Sequence, residues 1–138
     1  MAGIGTGNGT TFKLGTTTPV TIGEITNISG FGSEINMIDV TTLVNDGNRK
    51  YISGLRDNED IEITGNFDFT DAGQTELKNE HDSGTVQDFI LEMKEVGAKL
   101  TGKCIVKKYS VEGFEVEGVI TFKVTLQISG KPVLAALA

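Results

Sequence analysis

Apolar and polar residues alternate most cleanly in VITFKVTLQIS, residues 119 to 129. Ile120, Phe122, Val124, Leu126 and Ile128 share one parity, and Thr121, Lys123, Thr125, Gln127 and Ser129 share the other. That period of two predicts a half-buried strand. Each large apolar side chain removed from water contributes roughly 1.5–3 kcal/mol, so five on one face tie the strand to a core. EDIEITGNFDF repeats the pattern, with Ile61, Ile63, Phe67 and Phe69 inward and Glu62, Thr64, Asn66 and Asp68 outward. Gly65 falls on the apolar face, where a glycine marks a bulge or bend.

Weaker signals complete the set. FILEMK groups Phe89, Leu91 and Met93, while KLTGKCIVKKY places Leu100, Cys104 and Val106 on one parity. TFKLG, TIGEITNISGF and EINMIDVTT are rich in the β-branched residues that suit a pleated surface. About seven or eight strands joined by glycine-heavy turns predict a mainly β fold, an antiparallel sandwich or barrel. One short helix flanks it. In TDAGQTELKNEHDSG, Asp71 is placed to cap the N-terminus with Gln74 three residues on, and Gly84 to stop it. The helix is mostly polar, with Ala72 and Leu77 as its expected apolar contacts.

Between two strand signals, residues from Leu43 to Asn58 bury little by pattern. Structureless connections longer than about 12–15 residues are uncommon and usually functional or disordered. The expected organisation is a single domain over 1–138, with a flexible N-terminal arm at about 1–10, a long inter-strand loop at about 43–58 and a short C-terminal tail at about 131–138.

Composition narrows the function classes. A chain of 138 residues supports one hydrophobic core. No apolar run approaches the roughly 20 residues that span a bilayer, so no membrane insertion is expected. The start, MAGIGTGNGTTFKLG, carries no basic residue before Lys13 and no apolar stretch of signal-peptide length, which predicts synthesis in the cytoplasm. A net charge of −7 opposes any grip on a phosphate backbone.

Candidate chemistry is sparse. His81 stands between Glu80 and Asp82, but sequence neighbours diverge on a helix and build no metal cage, so it reads as a solvated helix end. The lone Cys104 reads as a core thiol. GIGTGNG has neither a preceding strand nor a following Walker-type lysine, and reads as part of the arm. Nothing converges on a nucleophile, a base, a metal or a cofactor, and an enzyme is not expected. Glu62, Asp68, Asp88 and Glu92 fall on outward strand positions, where together they would give one sheet face a negative field.

The order of EINMIDVTT, a long polar segment, YISGLRDNEDIEITGNFDFTD, a short helix and GVITFKVTLQISGKPVL resembles the major tail proteins, or tail tube proteins, of long-tailed bacteriophages with non-contractile tails (siphoviruses). The resemblance is strongest at Ile38–Thr41, Tyr51–Asp57 and Ser129–Pro132. It implies a structural virion protein that forms hexameric rings stacked into a hollow tube. One sheet of each subunit would join a continuous barrel around the lumen, and DNA would pass through without specific binding during ejection. Implied partners are further copies of the chain, a tape-measure protein, a tail terminator and tail-tip or baseplate proteins. On this view Arg49, Lys50, Tyr51, Ile52, Leu55 and Arg56 are candidates for contacts between rings or subunits. Glu62, Asp68, Asp88 and Glu92 are the acidic candidates for the lumen wall. The tube of a contractile tail, a type VI secretion-like injection device and a stand-alone β-sandwich binding module are the alternatives.

Overall fold

The structure is a computed structural model that describes residues 5, 7, 9–16, 19–43 and 47–136. Among the described residues, nine strands and one helix follow in the order β1 (Thr11–Leu14), β2 (Val20–Thr21), β3 (Ile25–Ser29), β4 (Ser33–Asp39), β5 (Tyr51–Asn58), β6 (Ile61–Asn66), α1 (Ala72–Ser83), β7 (Gln87–Met93), β8 (Ala98–Glu112) and β9 (Thr121–Ala136). Seven strands form one antiparallel sheet in the order β2-β1-β7-β8-β9-β6-β3, and β4 and β5 form a separate two-stranded sheet. The predicted mainly β class holds, with the sheet curled around one core.

That core lies on a single face. Phe12 and Leu14 of β1, Phe89 and Leu91 of β7, Cys104 and Val106 of β8, and Phe122, Val124 and Leu126 of β9 are buried together with Ile61 and Ile63 of β6 and Leu77 of α1. The curl brings distant strands into contact. Phe31, just beyond β3 at one sheet edge, meets Phe89 near the other edge with ring centroids 6.2 Å apart. Gly65 serves this closure: a Cβ there would collide with the Glu24 carbonyl and the Phe122 ring, so β3 crosses β6 where only glycine fits. A register shift in the facing β3 between Ile25 and Asn27 supplies the expected bend.

Helix α1 begins and ends as its sequence predicts. The Asp71 carboxylate accepts from the Gln74 backbone N–H at 3.0 Å, and Gly84, at φ 68°, donates its N–H to the Glu80 carbonyl. Its packing differs from the expectation. Ala72 is exposed, and the buried face is Gly73, Gln74 and Leu77. Gly73 allows this because a Cβ there would strike the backbone of Thr21 and Ile22. His81 is half-buried and not a solvated end: its Nδ1 lies 3.3 Å from the Val106 carbonyl oxygen and its ring stacks near Tyr109.

Two boundary expectations are overturned. Residues 51–58 are strand β5, so the expected loop does not extend past residue 50; the polar sequence conceals a strand that pairs on a hairpin and not in the core. Residues 131–136 continue β9, with residues 133–136 paired to residues 98–101 of β8, so the expected C-terminal tail is mostly strand. Pro132 is accommodated because the β8–β9 register shifts there, and a bulge tolerates a missing N–H. The arm expected at 1–10 falls partly outside the described residues, and β1 starts directly after it.

Candidate assembly interface

Strands β4 and β5 make a hairpin that projects from the curled sheet. Every residue of β4 is exposed, and β5 is exposed except at Gly54 and Asn58. Met37 is 59% exposed, Leu55 81% and Leu43 fully, and Ile38 and Ile52 face each other across the pair. A lone two-stranded hairpin is at best marginally stable in water, and a contiguous exposed apolar surface marks an interaction site.

All six sequence-derived contact candidates belong to this hairpin. Arg49 Nη1 lies 3.3 Å from Asp39 Oδ2. Lys50 closes the ladder: its N–H donates to Thr41 Oγ1 and its carbonyl accepts from Val40, both at 2.9 Å. Tyr51 and Ile52 open β5 opposite Asp39 and Ile38, and Arg56 pairs opposite Ile35. The hydroxyl and backbone N–H of Thr41, followed by Arg49, hold the Asp39 carboxyl below the usual range. Sequence reasoning missed Ile35 and Met37 as members of the surface, because their alternation resembles that of a core strand.

The far end of the sheet carries a second apolar surface. Strand β6 runs from Ile61, opposite Leu126, to Asn66, opposite Thr121. The hairpin joins β6 at its Ile61 end, so the β8–β9 turn and residues 67–69 lie at the other. There Phe69 is 84% exposed, in contrast to its predicted inward position, and Phe114, Val116 and Val119 are exposed as well. Phe67, Phe69, Gln74, Lys78, Tyr109 and Val111 line a cleft of about 290 Å³ beside them.

The four acidic candidates do not make one acidic wall. Glu62, Asp88 and Glu92 lie on the outward face of the curled sheet, by alternation with the buried positions. Asp68 lies in the connection between β6 and α1, where Thr70, through its hydroxyl and then its N–H, holds the Asp68 carboxyl below the usual range. On the sheet face the expected negative field is offset. Lys13 Nζ is 2.9 Å from Glu92 and Lys103 Nζ is 3.4 Å from Asp88, and Lys123 and Lys99 share that face.

No group of three or more metal-binding side chains occurs among the described residues. Burial, with the Asp88 and Glu80 carboxylates, pushes the Cys104 thiol up to about 12, which fits the core thiol read from sequence.

The sequence profile of a family described as phage tail tube protein matches residues 25–134. A comparison with curated proteins gives no match. Among solved structures, the tail of an empty gene transfer agent (GTA) particle superposes with a TM-score of 0.78 at 19% identity, covering 96% of this chain and 100% of that one. The SPP1 tail tube gives 0.71 at 14% identity, over 96% of this chain and 80% of that one. The sheath–tube complex of an extracellular contractile injection system gives 0.71 at 12%, over 92% and 88%. These likenesses establish a shared fold. The profile match runs from the start of β3 almost to the end of β9, taking in the hairpin and the apolar surface at the opposite end, and so the chain belongs to the phage tail tube protein family.

Proposed function

We propose that this tail tube protein assembles as hexameric rings stacked into the hollow tube of a virion tail, through which genomic DNA passes into the host. The observation that carries the reading is the β4–β5 hairpin, a folded element with its apolar side chains in water. Hydrophobic surface of this kind gains stability only against a partner.

Open sheet edges support lateral assembly. Beyond Leu126, β9 pairs with β8 alone, and beyond Cys104, β8 has no second strand partner, although His81 of α1 meets the Val106 carbonyl there. Half-edges of this length template pairing with another chain, and a ring closes them. The related GTA tail is described with C6 symmetry. The outward sheet face, with lysines set against its carboxylates, suits a lumen wall that neither grips nor strongly repels a passing polyanion. The related assemblies include a tube-terminating cap and a tube terminator, which supports terminator and tip proteins as partners, alongside a tape-measure protein. Assembly is expected in the host cytoplasm, with a structural and non-enzymatic role.

The fold is common to non-contractile and contractile tubes. The sequence resemblance favours a non-contractile tail, and co-purification with a sheath protein would favour the contractile one. Electron microscopy of the purified chain at rising concentration, with and without tail-tip complexes as seeds, tests the main reading. Hollow tubes of stacked rings are expected; monomers that persist even when seeded would overturn it.

A further inference from the structure

We propose that five lysines on the outward face of the curled sheet, Lys13, Lys99, Lys103, Lys108 and Lys123, are weak, sequence-independent contacts for the phosphate backbone of duplex DNA. The inference deepens the reading above, on which it rests for the source of the DNA, and names the side chains that the polyanion meets. Three observations carry it.

The first is where the bases gather. Strands β8 and β9 together carry six lysines and one acid, Glu112. Lys13 lies between the buried Phe12 and Leu14, and Lys123 between the buried Phe122 and Val124, so both point outward. Lys99 and Lys103 stand opposite Glu92 and Asp88, and Lys108 stands opposite Thr125, which lies between the buried Val124 and Leu126. The strands of the curled sheet set Glu62, Asp88, Glu92 and Glu112 on the same face, which therefore holds five bases against four acids. In a chain of net charge −7 the remaining residues then carry −8. A polyanion meets its least repulsive surface on the outward sheet face.

The second is how the lysines are held. Glu92 and Asp88 hold Lys13 and Lys103, at 2.9 and 3.4 Å. Among the described residues no carboxylate pairs with Lys99, Lys108 or Lys123. Three ammonium groups are thus ready for a phosphate, and two are checked by an acid. Exposed ion pairs are worth only about 0–1 kcal/mol, so phosphate and carboxylate exchange readily on the checked pair. Contact is made and released, as a moving polyanion requires.

The third is the chemistry around them, which selects a duplex backbone as the occupant. Among the described residues the outward positions of the curled sheet hold no aromatic side chain, whereas single strands are held by stacking on aromatic rings. They hold no arginine either, since Arg49 and Arg56 both belong to the hairpin. Lysine meets phosphate as a point charge, while arginine is the residue that reads base edges bidentately. Thr64, Thr101, Thr125 and Gln127 occupy outward positions between the lysines, and hydroxyl and amide donors of this kind reach phosphate oxygens. Such a face senses charge and not sequence.

The test titrates the full-length chain with a short DNA duplex and follows its NMR shifts at several salt concentrations. Shifts should gather on β8 and β9 around Lys99, Lys108 and Lys123 and vanish at high salt. Each engaged lysine adds about 0.9 to the fall of log K with log salt, so Lys99→Gln, Lys108→Gln and Lys123→Gln together should flatten that slope by about 2.7. Asp88→Asn with Glu92→Gln frees two lysines and should steepen the slope by about 1.8, with binding about ten-fold tighter at low salt. Circular dichroism confirms that each variant folds. Shifts confined to Arg49, Lys50 and Arg56, or a slope indifferent to both sets of substitutions, would overturn the assignment. Tighter binding of a single strand, or of poly-glutamate of equal charge, would overturn it too. Seeded assembly followed by electron microscopy separates this contact from the tube. If tubes form and the duplex moves no signal on the outward face, the lysine contact is wrong while the tube stands. If the face binds the duplex but no tubes form even when seeded, the tube reading falls and the contact stands.

Discussion

Asp71 accepts a backbone hydrogen bond from Gly23 at 3.0 Å with the same carboxylate oxygen that caps α1 through Gln74. One side chain thus joins the helix start to the segment between β2 and β3. The neighbouring Gln74 is buried and fully used: its Oε1 accepts from Asp68, and its Nε2 donates to the carbonyls of Gly23 and Asn66. Replacing an N-cap aspartate by alanine costs about 0.5–2 kcal/mol. Asp71→Ala should fall at or above the top of that range, because it also frees the Gly23 N–H. Asp71→Asn should recover most of the loss. Urea denaturation of the two variants checks the order.

Removal of apolar side chains from the hairpin should separate folding from assembly. Leu55→Ser and Met37→Ser take exposed groups that lie outside the buried core, so thermal stability should stay within about 0.5 kcal/mol of wild type. Tube formation should fall sharply. A comparable loss of monomer stability would place the hairpin in the fold and not in the interface. Backbone amides of β4 and β5 should exchange quickly in the monomer and slowly in the tube, as hydrogen exchange by mass spectrometry would register.

Acid should weaken the outward sheet face through Glu92. Lys13, followed by Thr11, holds its carboxyl below the ordinary value of 4.5. A depressed folded-state pKa contributes stability that is present above the ordinary value and lost as pH falls through the lowered one. Lys13→Met should remove this contribution at neutral pH and flatten the stability profile below about pH 4.5. An NMR titration of the Glu92 carboxyl in both proteins reads the shift directly. A midpoint unmoved by the substitution would contradict the pairing.

Cys104 should be silent to thiol reagents in the folded chain. Its thiol is buried in the core and its pKa is pushed to about 12, so almost no thiolate is present at pH 8. Ellman's reagent should react at the unfolding rate in buffer and at once in denaturant. Rapid reaction in buffer would mean that the core around β8 opens locally.

Strand periodicity was readable wherever one face of the sheet meets the core. Phe122, Val124 and Leu126 are buried as their parity requires, and so are Ile61 and Ile63. The helix was legible from its caps, since Asp71 and Gly84 act through local backbone geometry. The second strand of the hairpin was not, because burial supplies the contrast that makes alternation readable and β5 buries almost nothing within the chain. Phe69 misled for the related reason that an apolar residue left exposed looks, in sequence, like one bound for the core. That the six contact candidates share one element was legible from the oddity of the segment that carries them. The acidic wall was not, because residues far apart in sequence supply the lysines. Lys13 and Lys103 reach Glu92 and Asp88 from neighbouring strands, a register that no single segment encodes.

The placement of the hairpin and the β8–β9 turn at opposite ends of β6 gives the subunit a direction. In the proposed column, head-to-tail stacking would leave a hairpin at one tip and an acidic, aromatic surface at the other. Growth and termination then call for two different shapes. A factor that starts the column must imitate one pole, and a factor that ends it must imitate the other.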